Sequence, residues 1–172
     1  MSKPYKIAWK PQNYERRVAS ARIRCLNTLK QLGKQHFPAE LYREKNESDY
    51  RVVVFSKAYT HKEIVIARRL RDSGTKIVFD LCDNHFLLDE DRNARLKEMF
   101  KLADHWVVSS EALGKVVTEI MGSVKPLTVI EDAVEETLSG RMLDIAGWVK
   151  AHIELYKLDK FYLQPMIRAR PI

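Results

Sequence analysis

The chain has 172 residues, 45% hydrophobic and 31% charged, with a net charge of +7. That length suits one domain large enough to bury a sizeable core without a structural metal or disulfide. No stretch reaches the roughly 20 apolar residues of a membrane span, and the N-terminus lacks a signal-peptide core.

Lys6–Trp9 is short and apolar and predicts a first strand, broken by Pro11 and Asn13. From Ser20 to Lys34, Ile23, Leu26, Leu29 and Leu32 recur at helical spacing, with Gly33 where a helix would close. Ala39–Arg43 predicts a second short strand, followed by the polar loop REKNESD. RVVVFS is apolar on both faces, as strands buried in a parallel sheet are. His61–Asp72 reads as a helix closed by Gly74, and KIVFDL as another doubly apolar strand. Arg92–Leu102 is helical, HWVVSS is a fifth strand, and Ser110–Met121 is a helix capped by Ser109 or Ser110 and ended by Gly122. PLTVIED is a sixth strand.

The order βαββαβαβαβ predicts a Rossmann-like three-layer α/β domain over residues 1–136, with a mainly parallel sheet of about six strands. Residues 137–172 predict a helical C-terminal extension and an extended tail, without a further βα unit.

The charge is uneven. Residues 1–45 hold eleven lysines and arginines against three acids, so the positive excess lies in the first quarter. Such a face attracts anions, including phosphates, nucleic acid or an anionic lipid surface; a solvated basic helix is the simpler alternative. Two distant cysteines, Cys25 and Cys82, with no CxxC pair, predict a reduced, cytoplasmic protein.

In parallel sheets ligands bind beyond the carboxyl ends of the strands. The residues following each predicted strand are therefore the candidates: the loop Lys10–Arg24; Ser56, Lys57, Tyr59 and His61; Asp83, Asn84 and His85; Ser109, Ser110 and Glu111; Glu131 and Asp132. KIVFDLCDNHF is the densest of these. It fits a metal site, a phosphoryl-transfer site, a sugar-binding loop or a turn stabilised by Asp and Asn side chains. Asp80 and Asp83 stand three apart, which is not the spacing of a dehalogenase-type nucleophile pair. No acids follow the first strand, as a receiver domain requires. Cys82 and His85 supply one possible zinc pair without a second, so no metal or other cofactor is expected. GxGxxG, the Walker loop and GxSxG are absent.

Three stretches carry a family likeness: ASARIRCLNTLKQLGKQ, GTKIVFDLCDNHF, and ADHWVVSSEALGKVV followed by PLTVIEDAVE. Over roughly residues 5–135 the chain resembles the N-terminal domain of retaining GT-B-fold glycosyltransferases. The third stretch is similar to that family's "ADxVVxxSexL … vIpNgVD" segment. The resemblance implies that His85 contacts a donor sugar as the catalytic-site histidine. It implies that Ser110 and Glu111 lie near the cleft, and that Arg22 and Arg24 meet acceptor or phosphate groups. Glu131 and Asp132 stand where the family commonly has Asn-Gly, and the paired glycines of the first loop are missing.

The family also uses a second, nucleotide-binding domain, which these 172 residues do not include. The expectation is a half-cleft, inactive alone, that binds a nucleotide sugar or a sugar acceptor when paired with a second domain. A homo-oligomer or a partner protein would complete it, and contact with a membrane surface remains compatible. One alternative is an anion- or nucleic-acid-binding module using Arg16, Arg17, Arg22, Arg24, Lys30 and Lys34, although the scarcity of interleaved aromatics makes nucleic acid the weaker partner. Another is a non-catalytic assembly protein that keeps the fold.

Overall fold

A computed structural model describes residues 6–122 and 125–132. The boundary at residue 136 and the C-terminal helices and tail lie outside the described residues.

The described residues form six parallel strands with helices between them. They run β1 (Lys6–Pro11), β2 (Ala39–Leu41), β3 (Tyr50–Ser56), β4 (Lys76–Leu81), β5 (His105–Val108) and β6 (Leu127–Val129). The helices are α1 (residues 19–34), α2 (His61–Asp72), α3 (Glu90–Leu102) and α4 (Glu111–Met121). A 3-10 turn at Glu44–Asp49 replaces a helix between β2 and β3. The middle of α1, Arg22–Asn27, is wound as a π-helix. That wider turn brings two successive residues, Arg24 and Cys25, to the buried side.

The sheet order is β2-β1-β3-β4-β5-β6, and every pairing is parallel. This is the doubly wound architecture of Rossmann-like domains, in its flavodoxin-type strand order. The chain leaves β1 toward β2 on one side and leaves β3 toward β4 on the other. The topological switch point therefore lies between β1 and β3.

Strand periodicity divides the core into two faces. Val53, Phe55, Ile77, Phe79, Trp106 and Val108 join Ile64, Leu70, Leu96, Phe100 and Val117 of α2, α3 and α4 in one cluster. Phe100 is its aromatic centre, edge-on to Phe79 and Trp106 and stacked on Phe86. The alternate residues Ser56 and Asp80 point the other way and meet Arg24 of α1.

The element ends correct several sequence expectations. β2 is three residues long and ends at Leu41. Gly33 lies inside α1, which runs to Lys34, and the turn after it is made at His36 with φ +56°. α3 starts two residues before Arg92, because Asp89 caps it by accepting from Arg92 N. Of the two candidate serines, Ser110 caps α4, accepting from Leu113 N at 3.2 Å. Gly122 closes that helix in the left-handed region, as expected.

Candidate functional site

β1, β3 and β4 deliver their carboxyl ends to a crevice at and beside the switch point. Two adjoining cavities open there. One, of about 340 Å³, lies among Pro11, Gln12, Asn13, Ser20, Ser56 and Lys57. The other, of about 510 Å³, has Gln12 and Lys57 in its wall too, and adds Tyr59, His85, Arg92 and Arg95. Gln12 and Lys57 thus stand between the two.

The sequence sets Lys57 directly after β3, where the chain must turn from the sheet toward α2. Its φ is +54°, a conformation that disfavours any residue with a Cβ. The turn is held by Lys57 N donating to Asp80 O at 2.9 Å. The side chain is then paired with Asp83. Burial alone would lower the Lys57 pKa, but the Asp83 carboxylate raises it above the ordinary lysine value. Reciprocally, burial would raise Asp83, while Lys57 holds it below the usual carboxylate range.

His85 begins the 3-10 turn His85–Leu87 that follows β4. Asn84 shapes that turn by accepting from Phe86 N at 3.2 Å, the Asx role expected of it. His85 Nδ1 is hydrogen-bonded to Tyr59 Oη at 2.8 Å, and Nε2 is 3.8 Å from Asp83 Oδ2. Burial pushes the imidazole pKa below its ordinary value; Lys57 and Arg92 push it further, against Asp83. His85 is therefore a neutral ring at pH 7, able to exchange a hydrogen bond with a hydroxyl. Burial raises the Tyr59 phenol, against the pull of Arg92, Lys57 and Arg95. Lys57 and Arg92 thus act on both ring side chains, and Arg95 acts on Tyr59 as well.

Behind this rim lies a second cluster. Arg24 is 1% exposed, and its Nε lies 2.9 Å from both oxygens of Asp80, which is 2% exposed. Its Nη1 donates to Ile130 O at 3.0 Å and to Asp132 at 2.7 Å. Ser56 Oγ donates to Asp80 at 2.9 Å. Burial would lower the Arg24 pKa, but Asp80, then Asp132, hold it above its ordinary value. The guanidinium ties α1 to β4 and to the segment after β6, with β3 joined through Ser56 on Asp80, and all its strong donors are used internally.

This revises the expected site. Arg24, expected at a ligand, is sealed in the interior, and Ser56 reaches only the floor of the smaller cavity, with its hydroxyl donated to Asp80. Arg24 therefore contributes nothing to a basic surface, and Arg22 is half-buried with its Nη1 on Arg16 O at 2.6 Å. Ser109 donates to Cys82 O at 2.8 Å and Ser110 is a helix cap, so both hydroxyls have structural partners. Glu111 and Glu131 are exposed, and Asp132 is joined to Arg24. Of the expected residues, Lys57, Tyr59 and His85 line the larger cavity, and Asp83 and Asn84 stand beside it, one paired with Lys57 and the other shaping the turn.

Gln12 belongs to the loop after the first strand that was expected at this edge. Arg92 and Arg95 were missed. Arg92 and Arg95 come from α3, three apart on one helical face, and nothing in their own sequence neighbourhood marks that face. Burial pushes both thiols up to about 12, so neither Cys25 nor Cys82 is a thiolate at neutral pH. Among the described residues no three His, Cys, Asp or Glu are grouped to hold a metal ion, and no helix is long and apolar enough to cross a membrane.

Fold and crevice define a class: a doubly wound parallel α/β domain with a cationic, aromatic-lined crevice beyond its strand ends. No protein-family model matches the chain, and no curated protein matches it.

Proposed function

We propose that this domain is the sugar- or acceptor-binding half of a GT-B-type glycosyltransferase, completed by a nucleotide-binding half. The observation that supports the reading most is the position of His85. The residue singled out by the family likeness stands at a cavity of about 510 Å³ beside the switch point, next to Lys57 and Tyr59. A cavity of that size takes a monosaccharide unit with room for a substituent.

The chain's own residues suggest a division of labour. Tyr59 fixes the His85 ring by its Nδ1, leaving Nε2 for a sugar hydroxyl. Gln12 and Thr60 add uncharged hydrogen-bonding groups at the wall. Lys57, Arg92 and Arg95 supply positive charge for a phosphate or diphosphate. A half-cleft of this kind orients a substrate but does not enclose a transition state.

The test is an NMR titration of ¹⁵N-labelled protein with uridine and guanosine diphosphate sugars and with free monosaccharides. The reading expects shifts centred on residues 57–60 and 83–88, and their loss in His85→Ala. Absence of any shift at millimolar ligand would sink it.

A further inference from the structure

The two adjoining cavities differ in chemistry, and the difference specifies a ligand. Three of the residues that line the larger one are cations, and none is an acid. Their carboxylate partners, Asp83, Asp89 and Asp91, lie outside that lining, with side chains 56–71% exposed. The cations thus belong to the cavity wall while their neutralising carboxylates are more than half exposed, where screening weakens the pairs. Arg95 is the most enclosed of the three after Lys57, with a side chain 17% exposed and a buried Nε that has no hydrogen-bond partner among the described residues. The net positive field also reaches His85, whose pKa Lys57 and Arg92 depress. The smaller cavity is lined chiefly by uncharged groups: Gln12, Asn13, Ser20 and Ser56, with Lys57 as its one cation.

We propose that the crevice takes a phosphomonoester of a small polyol, a sugar phosphate, as its ligand. The phosphate lies among Lys57, Arg92 and Arg95, and the hydroxylated part reaches past Gln12 into the smaller cavity. This rests on the sugar-binding reading above and narrows it to one substrate class. Phosphate accepts several charge-assisted hydrogen bonds at once, which suits two arginines and a lysine in one cavity wall. A neutral polyol fits a cavity of uncharged donors and acceptors. Lys57, held in a left-handed conformation between the cavities, contributes to both.

The test is calorimetric titration of the full chain with four probes: inorganic phosphate, glucose, glucose 1-phosphate and glucose 6-phosphate. At least one sugar phosphate should bind tenfold or more tightly than both phosphate and glucose. Its affinity should fall as salt rises. Arg92→Gln with Arg95→Gln should weaken phosphate and sugar phosphate about tenfold and leave glucose unchanged. Ser20→Val should weaken the sugar phosphate and spare inorganic phosphate, with circular dichroism confirming that each variant is folded. If glucose binds as tightly as its phosphates, or if the double arginine variant binds them undiminished, the phosphate assignment fails while the sugar-binding reading stands. If inorganic phosphate binds as tightly as every sugar phosphate, the polyol assignment fails, and with it support for a sugar site. If no probe binds, both readings fall.

Discussion

Two polar clusters sit at the carboxyl ends of the same two strands, one residue apart at β3 and three apart at β4. Ser56 and Asp80 belong to a sealed cluster with Arg24; Lys57 and Asp83 belong to an open one with His85 and Tyr59. Both contain a cation, a carboxylate and a hydroxyl. In the first every partner is within 3.0 Å and almost no surface is left. In the second one carboxylate is mostly exposed and a cavity separates the cations. A satisfied, buried ion pair locks elements together, and an open one leaves capacity for a ligand. The two are separated only by the alternation of a strand and the turn that ends it.

The comparison can be broken at Arg24. Arg24→Met leaves Asp80 buried without its partner and should cost about 3–5 kcal/mol of stability. Urea denaturation measures this, and Arg24→Met with Asp80→Leu should recover most of the loss, because an apolar pair needs no neutralisation. A loss below about 1 kcal/mol in the single variant would mean that the sealed cluster is not what holds α1 to the sheet.

Lys57 gives the next largest effect. Lys57→Ala removes a partly exposed ion pair and should cost under about 1 kcal/mol. Lys57→Gly removes the same pair but relieves the left-handed backbone, so it should be roughly 1 kcal/mol more stable than the alanine variant. Thermal unfolding of the two variants compares them directly. An alanine variant as stable as the glycine one would argue against backbone strain at that turn. Asp83→Asn should stay within about 0.5 kcal/mol of the parent chain, less than the alanine variant loses, as an exposed substitution does.

The smallest effect is a titration. The His85 pKa in the folded chain is below the ordinary value of 6.5. The unfolded chain therefore takes up this proton first as pH falls. The stability contribution is complete above about pH 6.5 and is lost as pH drops from there through the folded pKa. His85→Gln should flatten that part of a stability–pH profile. NMR titration should find the ring midpoint under 6.5, and Lys57→Ala should move it upward. A midpoint above 6.5 would mean that Asp83, not burial and the cations, governs the ring.

Much of the framework was legible. RVVVF and KIVFDL announce buried parallel strands because both faces are apolar, and the helical spacings between them are regular. The loop at Asp83–His85 was found from its place after a strand, and Asn84 acts as the turn residue its chemistry suggests. Helix ends were less legible. Gly33 looked like a terminator, yet α1 continues through it, because packing of Leu32 outweighs a local preference.

The site was legible in position but not in role. Arg24 reads in sequence like any other arginine of a basic helix. Only the π-wound turn of α1 and the side-by-side placement of β3 and β4 bring it onto Asp80 and Ser56, which lie 56 and 32 residues away in sequence. Arg92 and Arg95 reach the crevice only because α3 packs beside α2 over the same face of the sheet. Sequence determined the elements and the edge where a ligand would sit, since periodicity and strand ends are local properties. Tertiary structure decided which charges face inward and which remain open, because burial and partnership depend on residues far apart in the chain.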